Sequence, residues 1–152
     1  VDLTHALSTA NPNWSGSAES PFSYDTLSTQ ASGRPSMGRY AVPEHFSTHL
    51  DAPIHGGDNQ PSVDELTADD LFGPGVLIDV SSGAEDPDYA LSRSDIEAWE
   101  VVNGRVPEGA VVLMYSGWAA RWTDPPSYRN ADGDGMHFPG FGTDAARFLV
   151  EE

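Results

Sequence analysis

Residues 110–118, AVVLMYSGW, form a nearly unbroken apolar run, and they limit what can be built around them. A run this short and this hydrophobic reads as a strand, and one apolar on both faces belongs in the middle of a sheet. Upstream lies a second short run of strand type, VLIDVS at 76–81. Between the two, LSRSDIEAWEVVNG carries the marks of a helix. Ser92 or Ser94 caps it, Ile96, Trp99 and Val101 or Val102 form its apolar stripe, and Gly104 stops it. A last segment, TDAARFLVEE, begins a second helix capped by Thr143 or Asp144. Strand, helix, strand, helix is the order of an α/β unit.

The first half is less regular. VDLTHALS reads as a short opening strand in which Val1, Leu3 and His5 alternate with polar neighbours. FSYDTLSTQASGRPSMGRYAV reads as two extended strands broken near Gly33, Arg34 and Pro35. In SVDELTADDLFGPG, Ser62 and Glu65 have the spacing of a capping box, which predicts a helical start. The 152 residues suit one domain. The apolar Phe148, Leu149 and Val150 of the last helix call for a packing partner. The expectation is therefore a single domain over 1–152 that continues beyond its C-terminus.

Charge removes several function classes. Twenty-four acidic residues face seven basic ones, all arginine, for a formal net charge of −17. Such a surface repels nucleic acid and anionic lipid. No apolar run is long enough to span a membrane, and no signal segment is visible, which sets the expectation of a cytoplasmic protein. The chain has no cysteine, so any metal must be held by nitrogen and oxygen.

The stretch EHFSTHLDAPIHGG, residues 44–57, holds three of the chain's five histidines. His45 and His49 have the spacing of one helical face. The zinc-protease motif, however, needs a glutamate directly after the first histidine, and Phe46 stands there. Pro43 and Pro53 bracket the segment and oppose a long helix. The remaining solution is a tight bend carrying His45 and His49, followed by extended chain in which His49 and Asp51 point to one side. His45, His49 and Asp51 are thus candidate ligands for a divalent cation of the zinc, manganese or iron type. His55 is either a further ligand or a proton carrier. The bland alternative is a group of surface histidines beside carboxylates.

DLTHALS, EHFSTHLDAPIH, YSGW and HFPGF together resemble the cyclase-like metal-dependent hydrolases, a family that includes bacterial kynurenine formamidase and isatin hydrolase. The family motif runs His, any residue, Gly, Thr, His, any, Asp, any, Pro, any, His. It is matched at His45, Thr48, His49, Asp51, Pro53 and His55, and departs at Ser47, where glycine is usual. The resemblance implies an α/β fold with a mixed barrel-like β-sheet and flanking helices. It implies one or two divalent ions, zinc or manganese, held by His45, His49 and Asp51, with His55 as the catalytic proton carrier. It also implies a homodimer or higher homo-oligomer. The activity expected is hydrolysis of an amide-type bond in a small aromatic substrate, an N-formyl arylamine or a cyclic amide, faced by Trp14, Phe46 and Trp118. The rivals are a metal-dependent lyase or cyclase, and a non-catalytic metal-binding scaffold.

Other residues carry less. Trp14 and Trp118 serve equally well as loop anchors. His137 either approaches the metal or holds its own loop. Asp132 and Asp134 hint at a calcium loop that lacks its closing glutamate. Ser116 fails the nucleophile-elbow pattern because Met114 replaces the required glycine.

Overall fold

The two apolar runs pair with each other, in parallel, and the rest of the α/β part is arranged on that ladder. The computed structural model describes residues 2–17 and 19–151, so Val1 of the expected opening strand lies outside the described residues. Strand β3 is Gly75–Asp79 and strand β5 is Val111–Tyr115; Val76 faces Val112 and Ile78 faces Met114 in register. Alternation sends Val76 and Ile78 to one face, where they form a buried cluster with Val80, Leu91, Ile96, Ala145 and Phe148. Parallel strands need a crossover, and helix α1, Arg93–Asn103, lies between them in sequence.

Local chemistry fixes that helix. The Asp95 amide donates to Ser92 Oγ, and the Ser92 amide donates to Asp95 Oδ2 at 2.8 Å, a reciprocal cap. Ser92 rather than Ser94 is therefore the cap. Gly104 at φ +87 closes the other end, with its amide donating to the Glu100 carbonyl. Only part of the expected stripe reaches the core. Ile96 is fully buried and Trp99 packs on the cluster, while Val101 and Val102 are over four-fifths exposed. Val106, beyond the helix, packs on the core instead.

Helix α3, Thr143–Glu151, adds Ala145 and Phe148, and the Arg93 guanidinium lies 4.6 Å from the Phe148 ring centroid. Asp144 Oδ2 accepts from the Arg93 amide, which ties the starts of α1 and α3 together. A two-residue parallel ladder joins β4, Ala90–Leu91, to β6, Gly140–Phe141.

The expected strand pair near the N-terminus forms as β1, Ser23–Ser28, antiparallel to β2, Met37–Ala41. Asp25 and Arg39 sit opposite each other and make an exposed 2.7 Å ion pair. The expected opening strand does not form in described residues 2–7. The capping box at Ser62 forms, but it starts only a 3₁₀ turn, Val63–Glu65. A second box at Thr67 starts another turn, Ala68–Leu71.

The barrel-like sheet expected from the resemblance is not closed. Among the described residues the strands form three separate two-stranded ladders, β1 with β2, β3 with β5, and β4 with β6. Closure requires every strand to pair on both sides, and each of these pairs on one side only. Residues 42–74, between the second and third strands, form three short 3₁₀ turns and no strand, so that stretch offers no backbone ladder to pair with an open edge. β5 is likewise not the middle of a sheet. Its outer face, with Leu77 of β3, leaves Val111, Leu113 and Tyr115 between about a third and half exposed.

The chain divides into two compact units. One runs up to Asp51 and includes Arg121–Arg129; the other holds Ala52–Ala120 and Asn130–Glu152. Helix α2, Pro125–Arg129, belongs to the first.

In the second unit His137 holds its own loop. Asn130 Nδ2 donates to the His137 carbonyl at 2.8 Å, and the His137 amide donates back to the Asn130 carbonyl. The imidazole then spans two carboxylates, Asp88 at 2.8 Å from Nδ1 and Asp132 at 3.2 Å from Nε2. Hydrogen bonds donated by the imidazole to Asp88, then to Asp132, raise the His137 pKa above its ordinary 6.5. The Asp134 amide, then His137, lower that of Asp132. The histidine contribution is complete below about 6.5 and fades as pH rises through the raised value. The Asp132 contribution is lost only as pH falls through its lowered value. A histidine NMR titration should give His137 a midpoint above 6.5, and Asp88→Asn should move it down. An unchanged midpoint in the variant would remove Asp88 as the main cause.

Candidate functional site

The predicted ligands converge, and they do so on one bend. Residues 44–48 form a run of bends without helix, between Pro43 and the 3₁₀ turn Pro53–His55. The tight-bend solution is the one adopted. Phe46 anchors it from beneath: the residue is 5% exposed, and its ring lies parallel to that of Phe22 at 6.1 Å between centroids. With Phe46 turned inward, His45 and the residues that follow are carried outward.

Three side-chain atoms then meet. His45 Nδ1 lies 2.7 Å from Asp51 Oδ1, His49 Nε2 lies 3.1 Å from the same oxygen, and the two nitrogens are 3.3 Å apart. All three side chains remain about a third to half exposed, so an ion from solvent can reach them. Among the described residues this is the one His, Cys, Asp or Glu group whose ligand atoms gather tightly enough to hold a metal.

The donor set fits a divalent cation on its own chemistry. His49 Nδ1 faces the Ser47 carbonyl at 2.9 Å. A carbonyl only accepts, so Nδ1 carries a proton and Nε2 is the nitrogen turned toward the cluster. His45 Nδ1 and His49 Nε2 both face Asp51 Oδ1, so two imidazole nitrogens and one carboxylate oxygen are gathered where a single cation could take all three as ligands. Ligand atoms about 2.1 Å from a common metal stand roughly 3.0–3.4 Å apart, so the observed separations need change by only tenths of an ångström. Two nitrogens and an oxygen without sulfur suit zinc or manganese.

The bend itself is held by polar contacts from the N-terminal arm. Ser47 has φ +60, the left-handed region, which costs a residue with a Cβ about 1–2 kcal/mol. Asn11, 7% exposed, donates from Nδ2 to Ser47 Oγ at 3.1 Å and to the Ala6 carbonyl at 2.9 Å. The His5 amide donates to Thr48 Oγ1 at 3.0 Å. The His5 ring in turn stacks on Trp122 at 4.0 Å, and Trp122 meets Tyr128 edge-on. Burial pushes the Tyr128 phenol up.

The remaining candidates are more scattered. Trp14 is two-thirds exposed, in a turn whose carbonyl accepts from Arg129 Nε at 3.1 Å. Trp118 is half-buried at the start of the 3₁₀ turn Trp118–Arg121. His55 ends the turn Pro53–His55 and is exposed; it belongs to the second unit, whereas the three ligands belong to the first. Sequence reasoning missed Asn11. An asparagine before a proline in a turn-rich stretch gives no sign of burial. The one available hint was a serine standing where the motif bends on glycine.

Comparison with known proteins gives one consistent family. The cyclase family model, described as "Putative cyclase", matches residues 1–152. Isatin hydrolase of Roseibium aggregatum is 38% identical over 114 residues, covering 72% of this chain and 43% of the relative. Kynurenine formamidase of Bacillus cytotoxicus is 34% identical over 83 residues, covering 54% of this chain and 39% of the relative. The structure of isatin hydrolase A from Labrenzia aggregata bound to benzyl benzoate superposes with a TM-score of 0.86 at 37% identity, covering 99% of this chain and 62% of that one. The chain thus spans less than two thirds of the length of the relatives it matches. With the motif, the fold and the relatives in agreement, the chain belongs to the cyclase family that includes isatin hydrolase and kynurenine formamidase.

Proposed function

We propose that this chain carries a metal-dependent hydrolase site acting on an amide-type bond of a small aromatic substrate, an N-formyl arylamine or a cyclic amide. The observation that carries the proposal is the convergence of His45, His49 and Asp51 on one point, with His49 Nε2 turned toward a carboxylate oxygen. Those three residues would hold one or two divalent ions, zinc or manganese. When bound, such an ion lowers the pKa of water and polarises a carbonyl.

The chain's own residues supply the rest. His55 is assigned the proton transfer: its imidazole takes a proton from the attacking water and returns it to the leaving nitrogen. The balance is simple, since a C–O bond forms, the C–N bond breaks, and the nitrogen departs protonated. The family motif, in which His55 follows Asp51 at a fixed spacing, supports this assignment. Trp14 and Trp118 are assigned the aromatic contact, with Trp14 the more exposed, while Phe46 stays in the inward packing on Phe22 that holds the bend. The benzyl benzoate bound by the relative from Labrenzia aggregata supports an aromatic ligand. A homodimer or higher homo-oligomer of the whole protein belongs to the same proposal.

Elemental mass spectrometry tests the site. The proposal predicts zinc or manganese at about one or two per chain, lost on His49→Ala and on Asp51→Ala; metal retained at the wild-type level in both variants would sink it. For the proton carrier, His55→Ala should lower kcat on an amide substrate by about 10²–10⁴ while metal content stays unchanged. Solvent oxygen should appear in the product. Product without that label would favour a lyase or cyclase.

A further inference from the structure

Among the described residues, three that are not glycine have positive φ: Ser47, Asn59 and Asn130. Asparagine tolerates that region because its short amide bonds locally, whereas serine has no such dispensation. Ser47 is also the position whose carbonyl accepts from His49 Nδ1. Any relaxation of its backbone turns that carbonyl, and with it the proton that decides which nitrogen His49 presents. Something must hold it.

The holding group is visible. Asn11 is the one buried polar residue among those described. Its two amide protons are both used, one on the Ala6 carbonyl and one on Ser47 Oγ, across thirty-six positions of sequence. Its backbone amide is used as well, on the Ser8 carbonyl. Asn11 is therefore fixed from both ends before it reaches Ser47, and it can resist the serine's return to ordinary φ.

We propose that Asn11 is a positioning residue for the ligand set: by bonding Ser47 Oγ it holds the left-handed bend whose carbonyl fixes the His49 tautomer. A serine then works where a glycine would otherwise be needed, because the strain is offset by a bond that glycine could not make. The consequence for metal binding rests on the reading given under Proposed function; the consequence for the tautomer does not.

The test uses long-range proton–nitrogen NMR of the histidines in mildly alkaline, metal-free buffer, on the wild type and on Asn11→Ala, Ser47→Ala, Ser47→Gly and the Asn11→Ala/Ser47→Gly double variant. Circular dichroism checks that each is folded. Expected is a single Nδ1–H tautomer for His49 in the wild type and in Ser47→Gly, a mixture in Asn11→Ala and Ser47→Ala, and recovery of the single tautomer in the double variant. Added zinc should bind about tenfold more weakly to the two single variants that lose the bond. A wild-type tautomer in both of those variants overturns the proposal. So does a double variant as disturbed as Asn11→Ala, because Asn11 would then act by a route other than Ser47. A wild type with the expected tautomer but no zinc uptake would leave the positioning role standing and overturn the metal reading instead.

Discussion

Two imidazoles brought to one carboxylate oxygen are the contact on which the rest of the site depends. Such a gathering is not self-stabilising. It orders three polar side chains that remain about a third to half exposed to competing water. The bend must therefore impose it. Burial of Phe46 against Phe22 fixes one side of the bend, and Asn11 and the His5 amide fix the other through Ser47 and Thr48. The apolar anchor supplies free energy, while the polar contacts supply direction. A bend held by packing alone would leave the Ser47 carbonyl free to rotate and His49 free to exchange tautomers.

The two units are stabilised by different means. The second has a conventional core, in which Val76 and Ile78 of β3 pack with Leu91, Ile96, Ala145 and Phe148. The first buries little by comparison. The whole β1–β2 ladder is exposed except Ser28. Long-range polar contacts and stacked rings carry more of its organisation, among them Arg129 with the Trp14 carbonyl and His5 on Trp122. A ligand loop built in this way is sensitive to single polar substitutions that a packed core would absorb.

What the sequence made legible was mostly local. The cap of α1 could be read because Ser92 and Asp95 are three residues apart and bond each other. The ligand trio could be read because His45, His49 and Asp51 lie within seven residues, so one bend suffices to gather them. Pairing between distant strands was not legible. Nothing within AVVLMYSGW tells whether one strand or two will flank it, and the barrel inferred by resemblance failed on that point. Val101 and Val102 failed for a related reason: a helix can carry an apolar stripe longer than the core it meets. Asn11 was hidden because its partner lies thirty-six residues away, and burial of an asparagine is decided wholly by that partner.

If the trio holds an ion as proposed, the acidity of the chain and the chemistry of the site would divide the work of choosing it. A net charge of −17 raises the concentration of every divalent cation near the surface without preferring any, and salt screens it over about 8 Å at physiological strength. Calcium and magnesium, the commonest of those cations, take oxygen ligands and would find one carboxylate among two nitrogens. Transition ions such as zinc and manganese accept imidazole. On the proposed reading, recruitment would be a property of the whole surface. Selection would be a property of His45 and His49, and within that pair of the Nδ1 contact that turns Nε2 toward the cluster. The chain's most general feature, its charge, and one of its most particular, a serine in a left-handed bend, would then act on the same event at different ranges.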